Sequence, residues 1–540
     1  MEDTLKLIND KFLEFSSLHA RMKEDVSLLH LDKYVMKDNK GQRIPDVHEI
    51  TLPFPSIFYN RIVSLLSSSN QQIEIESDSM NDKQISVIEK FHDDIDYEID
   101  GLLSKRKMPN LSLLQWQRIC ARGSIGARCC IREDKKGNLL PDVIPIDMLN
   151  VAYEIGDDNT IWATNRSSRT KNAIEREYKH LINGKQALVN DFWDENVNEI
   201  WIGQEKIFEQ ENIYGYVPFV IEIAPTGYWL DDEDYMKWRG ESILFIARNL
   251  YSEINRFGSI LATLTEKSFN NNLQYMSKSG EQANPPDAPD IDVSRVYSVD
   301  MGGGFKGMPI EDTHNSAVMF WNILNELLQM ATISKANYGV LSFPLSGVAI
   351  SNMTEAQDKI IVPELQGYSM YKRQLAEMID RQMIDLKISA ELGETGHKKQ
   401  YSFRDLKGDY SIKYRFFSVS KEQEIADASI ANAMGVNVSD DYKRRHIFKL
   451  QDPDGESRKI QLEMLQKTNP VIMRYKLVHD LIDEKKDLEA RIILHELLMM
   501  IRSNQTSIGL PELSKGGNKD LIPLLEAGGT ASQVPGGITP

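Results

Sequence analysis

The chain has 540 residues, which is too long for one compact core, so two or more domains are expected. Its composition, 41% hydrophobic and 26% charged, is typical of a folded globular protein. Acidic residues outnumber Lys and Arg by 80 to 63, and the formal net charge is −17. Because proteins that grip DNA neutralise phosphates with Lys and Arg, this balance argues against tight general nucleic-acid binding and leaves room only for a local basic patch.

The cysteines and the hydropathy pattern predict an intracellular, soluble protein. Cys120, Cys129 and Cys130 are too few for a disulfide framework and match no CxxC metal pair, so free thiols in a reducing cytosol are expected. The N-terminus lacks the basic start and apolar stretch of a secretory signal. No apolar run approaches the roughly 20 residues that span a bilayer.

The first part of the chain predicts a mixed α+β region. Apolar residues spaced three or four apart predict a helix within 1–40. Further helices are predicted near 57–67, 82–104 and 111–121. Short strands are predicted around residues 73–76, 127–133, 143–146, 151–153, 161–165 and 197–207.

Long helices dominate the second part. A helix over 241–269 would be a rod of roughly 43 Å at 1.5 Å per residue. A segment rich in Pro and Gly comes next, with a short strand candidate at Ser294–Val299, and then a second helix over 313–335. A third helix over 351–391 is expected to bend at Pro363, because proline removes a backbone donor.

The remainder of the chain is predicted to be strand, then helix, then tail. Strands are expected at Tyr401–Phe403 and Tyr410–Phe417. Residues 421–502 are predicted to be almost wholly helical, and the Gly- and Pro-rich residues 503–540 to form a loosely ordered tail.

Signatures of enzyme chemistry are missing from the sequence. There is no GxxxxGK[ST] phosphate loop, and the glycine-rich segment 302–307 lacks the Lys-Ser/Thr pair that would meet phosphate and magnesium. The ten histidines form no HxH or HExxH motif, and no GxSxG is present. The sequence therefore predicts no enzyme, no cofactor and no metal site.

Two acidic clusters leave one enzymatic alternative open. Asp93-Asp-Ile-Asp and Asp231-Asp-Glu-Asp could supply carboxylates to a two-magnesium nuclease. The simpler interpretation is a solvated helix face for the first cluster and a loop for the second, since neither has the look of carboxylates converging from separate strands.

The order of the parts resembles the portal proteins of tailed bacteriophages. Local phrases support the resemblance and keep the family's order across roughly residues 50–465. They are Trp116–Asp134, Pro145-Ile-Asp-Met-Leu-Asn-Val, Tyr214-Gly-Tyr-Val-Pro-Phe-Val-Ile, Gly240-Glu-Ser-Ile-Leu, Leu345-Ser-Gly-Val-Ala-Ile, Met434-Gly-Val-Asn-Val-Ser and Asp452-Pro-Asp-Gly-Glu.

The resemblance implies an α+β portal-type subunit with a definite division of the chain. The implied parts are the first part of the wing (1–239), a first stem helix (240–269), a clip (270–311), a second stem helix (312–337), a tunnel loop (338–351), a tunnel helix with the wing's return (352–420), a helical crown (421–502) and a flexible tail (503–540).

The function that the resemblance implies is structural. Such subunits form a ring, typically of about twelve copies, at one capsid vertex of the virion after assembly in the host cytoplasm. The ring nucleates capsid assembly with the major capsid and scaffolding proteins, docks the terminase large subunit, later holds head-completion or adaptor proteins, and passes double-stranded DNA without reading its sequence. No membrane is involved. Another ring-shaped connector and a host scaffold protein remain alternatives, although connector chains are usually shorter.

Particular residues are implied by the same resemblance. The tunnel loop would present Leu341, Ser342, Phe343, Pro344, Leu345, Ser346 and Gly347 to the DNA, and an apolar tip would suit sliding contact. Lys335 and Lys359, which flank the loop, would contact phosphates or pair between subunits. In the clip, the residues expected to meet the terminase or adaptor are Tyr297, Met301, Gly303, Phe305 and Lys306.

Overall fold

The computed structural model describes most of the first 450 residues and part of the remainder. The described residues are 2–133, 139–269, 273–276, 304–307, 314–332, 347–394, 396, 398–417, 421–448 and 450, together with scattered residues between 456 and 499. The chain divides into two compact units, Met1–Asp454 and Gly455–Pro540. The first unit mixes helices and sheets, which confirms the predicted α+β class.

Helices occur along the whole of the first unit. They are α1 (Glu2–Glu14), α2 (Ser16–Leu29), α3 (Phe54–Ser67), α4 (Asp82–Lys105), α5 (Leu111–Arg122), α6 (Lys171–Tyr178), α7 (Tyr235–Trp238), α8 (Arg248–Phe269), α9 (His314–Ala331), α10 (Gly347–Asp385), α11 (Lys421–Met434) and α12 (Asp440–Tyr442). The N-terminus of α4 carries a complete capping box, in which Asn81 accepts from the backbone N–H of Gln84 and the Gln84 side chain accepts from that of Asn81.

The strands form small antiparallel sheets. They are β1 (Asn70–Glu76), β2 (Ser124–Glu133), β3 (Leu139–Ile146), β4 (Val151–Ile155), β5 (Thr160–Thr170), β6 (Gln186–Asp194), β7 (Val197–Ile202), β8 (Glu205–Glu211), β9 (Phe219–Ile223), β10 (Leu273–Met276), β11 (Gly304–Gly307), β12 (Ser389–Leu392), β13 (Lys399–Ser402) and β14 (Ser411–Phe417). A five-stranded meander has the order β4-β5-β6-β7-β8, and a three-stranded sheet has the order β3-β2-β9. Three two-stranded sheets pair β1 with β14, β10 with β11 and β12 with β13.

The main core lies between α10, α5 and the strands on which they pack. Trp116 of α5 lies against Tyr368 of α10 with ring centroids 3.9 Å apart, and Phe416 of β14 completes the cluster. Gln382 of α10 donates to the carbonyl of Cys129 at 2.8 Å and accepts from the backbone N–H of Ile131 at 2.6 Å. The C-terminal end of α10 is therefore hydrogen-bonded to β2, in addition to packing on the sheets.

Two glycines make the closest backbone crossing in this core. Gly123 ends α5 with φ +66°, and Gly240, at the start of the predicted first stem helix, has φ +63°. A Cβ on Gly123 would lie 1.9 Å from the carbonyl oxygen of Gly240, and a Cβ on Gly240 would lie 2.6 Å from that of Gly123. The backbone N–H of Ala224 donates to the Gly123 carbonyl at 2.9 Å. The end of α5, the end of β9 and the segment that leads into α8 thus meet at a point where no side chain fits.

Several predicted helix boundaries are wrong. The predicted helix within 1–40 is two helices, the second of which ends at Leu29, because Leu31 turns into the left-handed region at φ +56°. The first stem helix does not begin at residue 240 or 241: a 3-10 turn over Phe245–Ala247 precedes α8. The second stem helix ends at Ala331.

Helix α10 also differs from its prediction. It continues through Pro363 and stops at Asp385, before the predicted 391. At its end Lys387 adopts φ +54°, and the backbone N–H of Ile388 donates to the carbonyl of Met383 at 3.0 Å. This C-terminal hydrogen-bond pattern is common for glycine, and here a lysine occupies the left-handed position. The chain then enters β12.

Other elements were missed or merged by the sequence pattern. Helix α6 and strand β6 were not predicted, and the single strand expected over 197–207 is two strands joined by a turn at Gly203, whose φ is +62°. The helical stretch expected over 421–502 is interrupted after α11 by a 3-10 turn at Gly435–Asn437. The strand candidate Ser294–Val299 lies outside the described residues.

The second unit is described only at scattered positions, and most of these are helical, including 491–499. Within it, Arg474 pairs with Glu496 at 3.6 Å and Lys459 with Glu456 at 3.3 Å. Both pairs join side chains on the same unit.

The glycine crossing predicts a strong effect of one added methyl group. Gly123→Ala is expected to lower the free energy of unfolding by more than about 4 kcal/mol, because the backbone of Gly240 cannot move away cheaply. Gly203→Ala is the matched control: its φ is +62° and no atom lies within 4 Å of the added Cβ, so only backbone strain of about 1 kcal/mol remains. Urea denaturation and soluble yield measure both, and equal losses in the two variants would contradict the close crossing.

Glu364 of α10 predicts a pH dependence of stability. Its side chain is 3% exposed, and burial raises the pKa of its carboxyl to about 7 from 4.5. The folded state therefore holds a proton that the unfolded state releases, and the free energy of unfolding falls as pH rises from about 4.5 to about 7. Glu364→Gln removes this loss, so its stability relative to wild type should rise by about 3 kcal/mol across that window.

Urea denaturation over a pH series measures this difference, with the exposed Glu211→Gln as the control that should track wild type at every pH. A Glu364→Gln curve that runs parallel to wild type across the whole window would show that the carboxyl is ionised throughout.

Candidate functional site

Helices α8 and α9, which we call the stem pair, pack side by side through aromatic rings. Phe257 of α8 meets Phe320 edge-to-face at 5.0 Å between centroids and stacks with Trp321 at 6.4 Å. Leu324 and Leu328 of α9 are buried in the main core. One side of α9 is thus fixed within the chain.

The other side of α9 is apolar and exposed. Met319 is 67% exposed and Met330 72% exposed, and the helix carries one carboxylate, Glu326, and no Lys or Arg. The exposed apolar residues are Val318, Met319, Phe320, Ile323, Leu327 and Met330. Met319, Ile323, Leu327 and Met330 recur at helical spacing, so they form one continuous stripe, which we call the α9 stripe. A water-facing helix normally carries charges there, and an exposed apolar stripe of this kind is typical of an interaction surface.

A second face of α8 is occupied by the chain's own N-terminal segment. The backbone N–H groups of Leu52, Ile50 and His48 donate to the side chains of Asn255, Ser259 and Thr263 at 2.8–2.9 Å. These three acceptors are four residues apart along α8. These three polar side chains bind the extended segment around residues 48–52 to the helix. Their i, i+4 spacing is visible in the sequence, but the sequence analysis did not predict this contact.

Buried charges anchor the stem pair at its base. Arg248, the first residue of α8, donates to Asp25 of α2 at 2.7 Å and to Glu241 at 2.5 Å, and the hydroxyl of Ser242 donates to Asp25 at 2.9 Å. Asp25 and Glu241 are 1% and 2% exposed. Because buried carboxylates are costly without a cation, Arg248 fixes α8 to α2.

Arg21 of α2 is the second cation at this base. Its side chain is 2% exposed, and the guanidinium donates to the carbonyls of Lys237, Arg239 (3.2 Å) and Gly240 (2.7 Å). Arg122 at the end of α5 donates to Asp147 at 3.1 Å and to the carbonyl of Met22 at 2.8 Å. No pattern in the sequence indicated that α2 would organise this base.

Most of the residues predicted for the tunnel loop and clip cannot be placed. Lys335, Tyr297, Met301, Gly303 and the loop residues 341–346 lie outside the described residues. Gly347 is the first residue of α10, and Lys359 lies exposed on that helix. In the clip, Phe305 and Lys306 lie in β11, where they pair with Tyr275 and Gln274 of β10.

The acidic clusters do not converge on a metal site. The simpler interpretation of the first cluster, a solvated helix face, fits Asp93, which is exposed on α4, but is wrong for the other two carboxylates. Asp94 is buried and accepts from Tyr401 at 2.6 Å and Lys90 at 3.0 Å, while Asp96 accepts from Lys372 at 2.6 Å. In the second, Asp231 accepts from Arg239 at 2.7 Å. Within the part of the chain that the structure describes, no group of three His, Cys, Asp or Glu side chains has the geometry of a metal site.

The three cysteines lie in the interior of the first unit. Cys120, Cys129 and Cys130 are buried, unpaired thiols, and burial raises the pKa of Cys130 to about 11. Among the described helices, none is long and apolar enough to cross a bilayer.

Comparison with known proteins gives likenesses of structure alone. No protein-family model matches the chain, and no curated protein matches it. Similar solved structures include the neck of a native gene transfer agent particle computed with C12 symmetry (TM-score 0.39, 10% identity) and the neck of the empty particle computed with C6 symmetry (TM-score 0.37, 10% identity). The virion of a native gene transfer agent particle is a third (TM-score 0.37, 9% identity). Each match covers 73% of this chain and 89% of the other, and likenesses at these TM-scores carry no argument about function.

The base of the stem pair predicts a large cost for removing one of its cations. Arg248→Ala leaves Asp25 buried without its guanidinium partner and leaves Glu241 with Arg21 alone, at 3.5 Å, so the free energy of unfolding should fall by about 3–5 kcal/mol. Arg256→Ala on the same helix is the control, since its pair with Glu253 at 3.7 Å is exposed on both sides and should cost less than about 1 kcal/mol. Urea denaturation compares the two, and similar small losses would show that the network does not hold the stem pair.

Proposed function

We propose that this chain is the subunit of a portal-type ring at one vertex of a tailed-phage capsid, with double-stranded DNA passing through the ring. The observation that carries the proposal is the α9 stripe on a helix whose opposite side is fixed against α8. A chain that leaves such a stripe in water as a single copy is expected to bury it by association. The order of wing, stem, clip segment, stem, loop and long helix supports the same function.

The α9 stripe suits a closed ring. A contact between different faces of neighbouring copies repeats around an axis, and a rotation that closes gives a ring without free ends. The apolar stripe would lie between adjacent stem pairs and be removed from water on assembly. Apolar area buried in this way contributes about 25 cal/mol per Å² before the cost of association.

The acidic balance supports passage of DNA rather than its capture. With a net charge of −17 per copy, a ring carries a large negative charge, and like charges repel within about 8 Å at physiological salt. A channel of this character would let DNA slide under the force of a motor. The tunnel loop of 338–351 and its flanking Lys335 and Lys359 would make the nearest contacts.

The proposed partners are those of a portal. The clip of 270–311 would meet the terminase large subunit during packaging and head-completion or adaptor proteins afterwards. Major capsid and scaffolding proteins would surround the ring during assembly. No described feature favours the magnesium nuclease. Asp94, Asp96 and Asp231 bind the chain's own cations and hydroxyls, and among the described residues no three acidic, His or Cys side chains converge on a metal site.

The first test is the state of association. Negative-stain electron microscopy of the purified protein should show closed rings with a central hole. Mass photometry should give a particle mass of about twelve times the 61.7 kDa of one chain. The double variant Met319→Lys with Ile323→Lys should lose the rings by at least about tenfold while remaining folded, because both side chains are exposed in the single chain.

Ile155→Lys is the matched control, since Ile155 is 60% exposed on another part of the fold and its variant should assemble as wild type does. Rings that persist unchanged in the α9 double variant would show that the stripe is not the contact. A uniform wild-type monomer that cleaves DNA with magnesium would overturn the portal function in favour of a nuclease.

A further inference from the structure

Two exposed patches on the first unit have opposite charge and matching apolar character. The first, which we call the acidic–aromatic patch, is the loop that leads from β9 to the base of the stem pair. Its exposed apolar residues are Tyr228, Trp229, Leu230, Tyr235 and Trp238, and its exposed carboxylates are Asp231, Asp232, Glu233 and Asp234. Large aromatic side chains exposed next to charges are typical of protein interfaces.

The acidic–aromatic patch is a formed surface rather than a loose loop. The guanidinium of Arg239 lies 5.1 Å from the ring centre of Trp229 and 4.6 Å from that of Tyr235, and it donates to Asp231 at 2.7 Å. The backbone N–H of Tyr228 donates to the carbonyl of Trp238 at 3.0 Å, which closes the loop. In the described part of the chain, no ion pair engages Asp232, Glu233 or Asp234, so three carboxylates stay available to a cationic partner.

The second patch, which we call the basic patch, surrounds α6. Its exposed cations are Lys171, Arg176, Lys179 and Lys185, and Leu181 and Leu188 beside them are 67% and 49% exposed. Nearby, Arg169 pairs with Glu177 and His180 lies 3.7 Å from Glu205. None of the four exposed cations is in an ion pair with another described residue. Glu175 and Glu177 are exposed on the same helix, but the cations outnumber them, which leaves a net positive, partly apolar surface on an otherwise acidic chain.

One copy cannot bring its two patches together. Met236 of the acidic–aromatic patch packs against an apolar cluster that includes Ala163 of β5. Helix α6 begins directly after Thr170, at the other end of that strand. The strand between these two points spans about 23 Å at 3.3 Å per residue. It is fixed in the five-stranded sheet by its pairing with β4 and β6, so the separation is built into the fold.

We propose that the acidic–aromatic patch of one copy docks on the basic patch of a second copy of this chain, as a head-to-tail contact between neighbouring wings. This inference rests on the proposed function in one respect, that copies of the chain associate. The contact that it adds is separate from the α9 stripe. Opposite charge selects the partner and its register, while the aromatic side chains and the exposed leucines supply the apolar area. When two copies make this contact, one keeps a free basic patch and the other a free acidic patch, so further copies can add until a ring closes.

Charge exchange between the patches tests this contact. One variant, A, carries Asp232→Lys, Glu233→Lys and Asp234→Lys, so three cations face one remaining carboxylate and both of its patches are basic. The other, B, carries Arg176→Glu, Lys179→Glu and Lys185→Glu, so three carboxylates face one remaining cation and both of its patches are acidic. Each variant alone should form rings at least about tenfold less than wild type by mass photometry, because like charges then face each other.

An equimolar mixture of A and B should restore the rings to within about twofold of wild type, since A and B can alternate with opposite charges at every contact. The control is Asp78→Lys with Lys407→Glu, two exposed charges outside both patches, which should assemble as wild type. Circular dichroism melting should show that all variants remain folded.

The outcomes separate the two proposals. Rings formed equally well by A, by B and by wild type would overturn the wing contact and leave the portal ring standing. A mixture that fails to restore the rings lost in A and B would overturn the pairing of these two patches. A wild-type chain that stays monomeric at every concentration would contradict the ring and the wing contact together.

Discussion

The guanidinium of Arg21 is the interaction on which the described architecture depends. It is buried where the end of α5, the loop before α8 and helix α2 meet, and it donates to three backbone carbonyls of that loop. Removing backbone carbonyls from water is costly unless a donor replaces the water. A single planar group with five donors satisfies several carbonyls that no regular element reaches, and so allows an irregular segment to lie inside the fold.

The stem pair is consequently held from several parts of the first unit. Asp25 and Arg21 bring α2 to its base, the residues around 48–52 run along α8, and the glycines 123 and 240 let two backbones cross in direct contact. Helix α2, which carried no sequence signal of function, thereby holds α8 in place. Anchoring of this kind leaves the α9 stripe as an apolar part of the stem pair that still faces water.

Local patterns predicted the elements whose burial is one-sided, and tertiary constraints decided the rest. Helices α3, α4 and α5 and strand β14 were found from their apolar spacing because each buries one face. The position at which α10 ends was not predicted. The left-handed backbone conformation of Lys387, just after the helix, is set by the hydrogen bonds around it and not by the preference of lysine. The network of Arg21, Asp25 and Arg248 could not be predicted from the sequence either, because α2 and the base of α8 are more than 200 residues apart along the chain.

Helix α10 ties several strands of the first unit together. Its 39 residues would span about 58 Å, and the part after Pro363 is fixed on both sides. Ser369 donates to the carbonyl of Tyr414 at 2.6 Å, Gln374 to Glu222 at 2.7 Å, and Gln382 is bonded to β2 at both ends of its amide. Close-packed cores do not deform continuously, so a displacement at one end of such a helix is passed to the sheets rather than absorbed. Glu364 is buried on this helix one residue after the proline, and burial raises the pKa of its carboxyl to about 7.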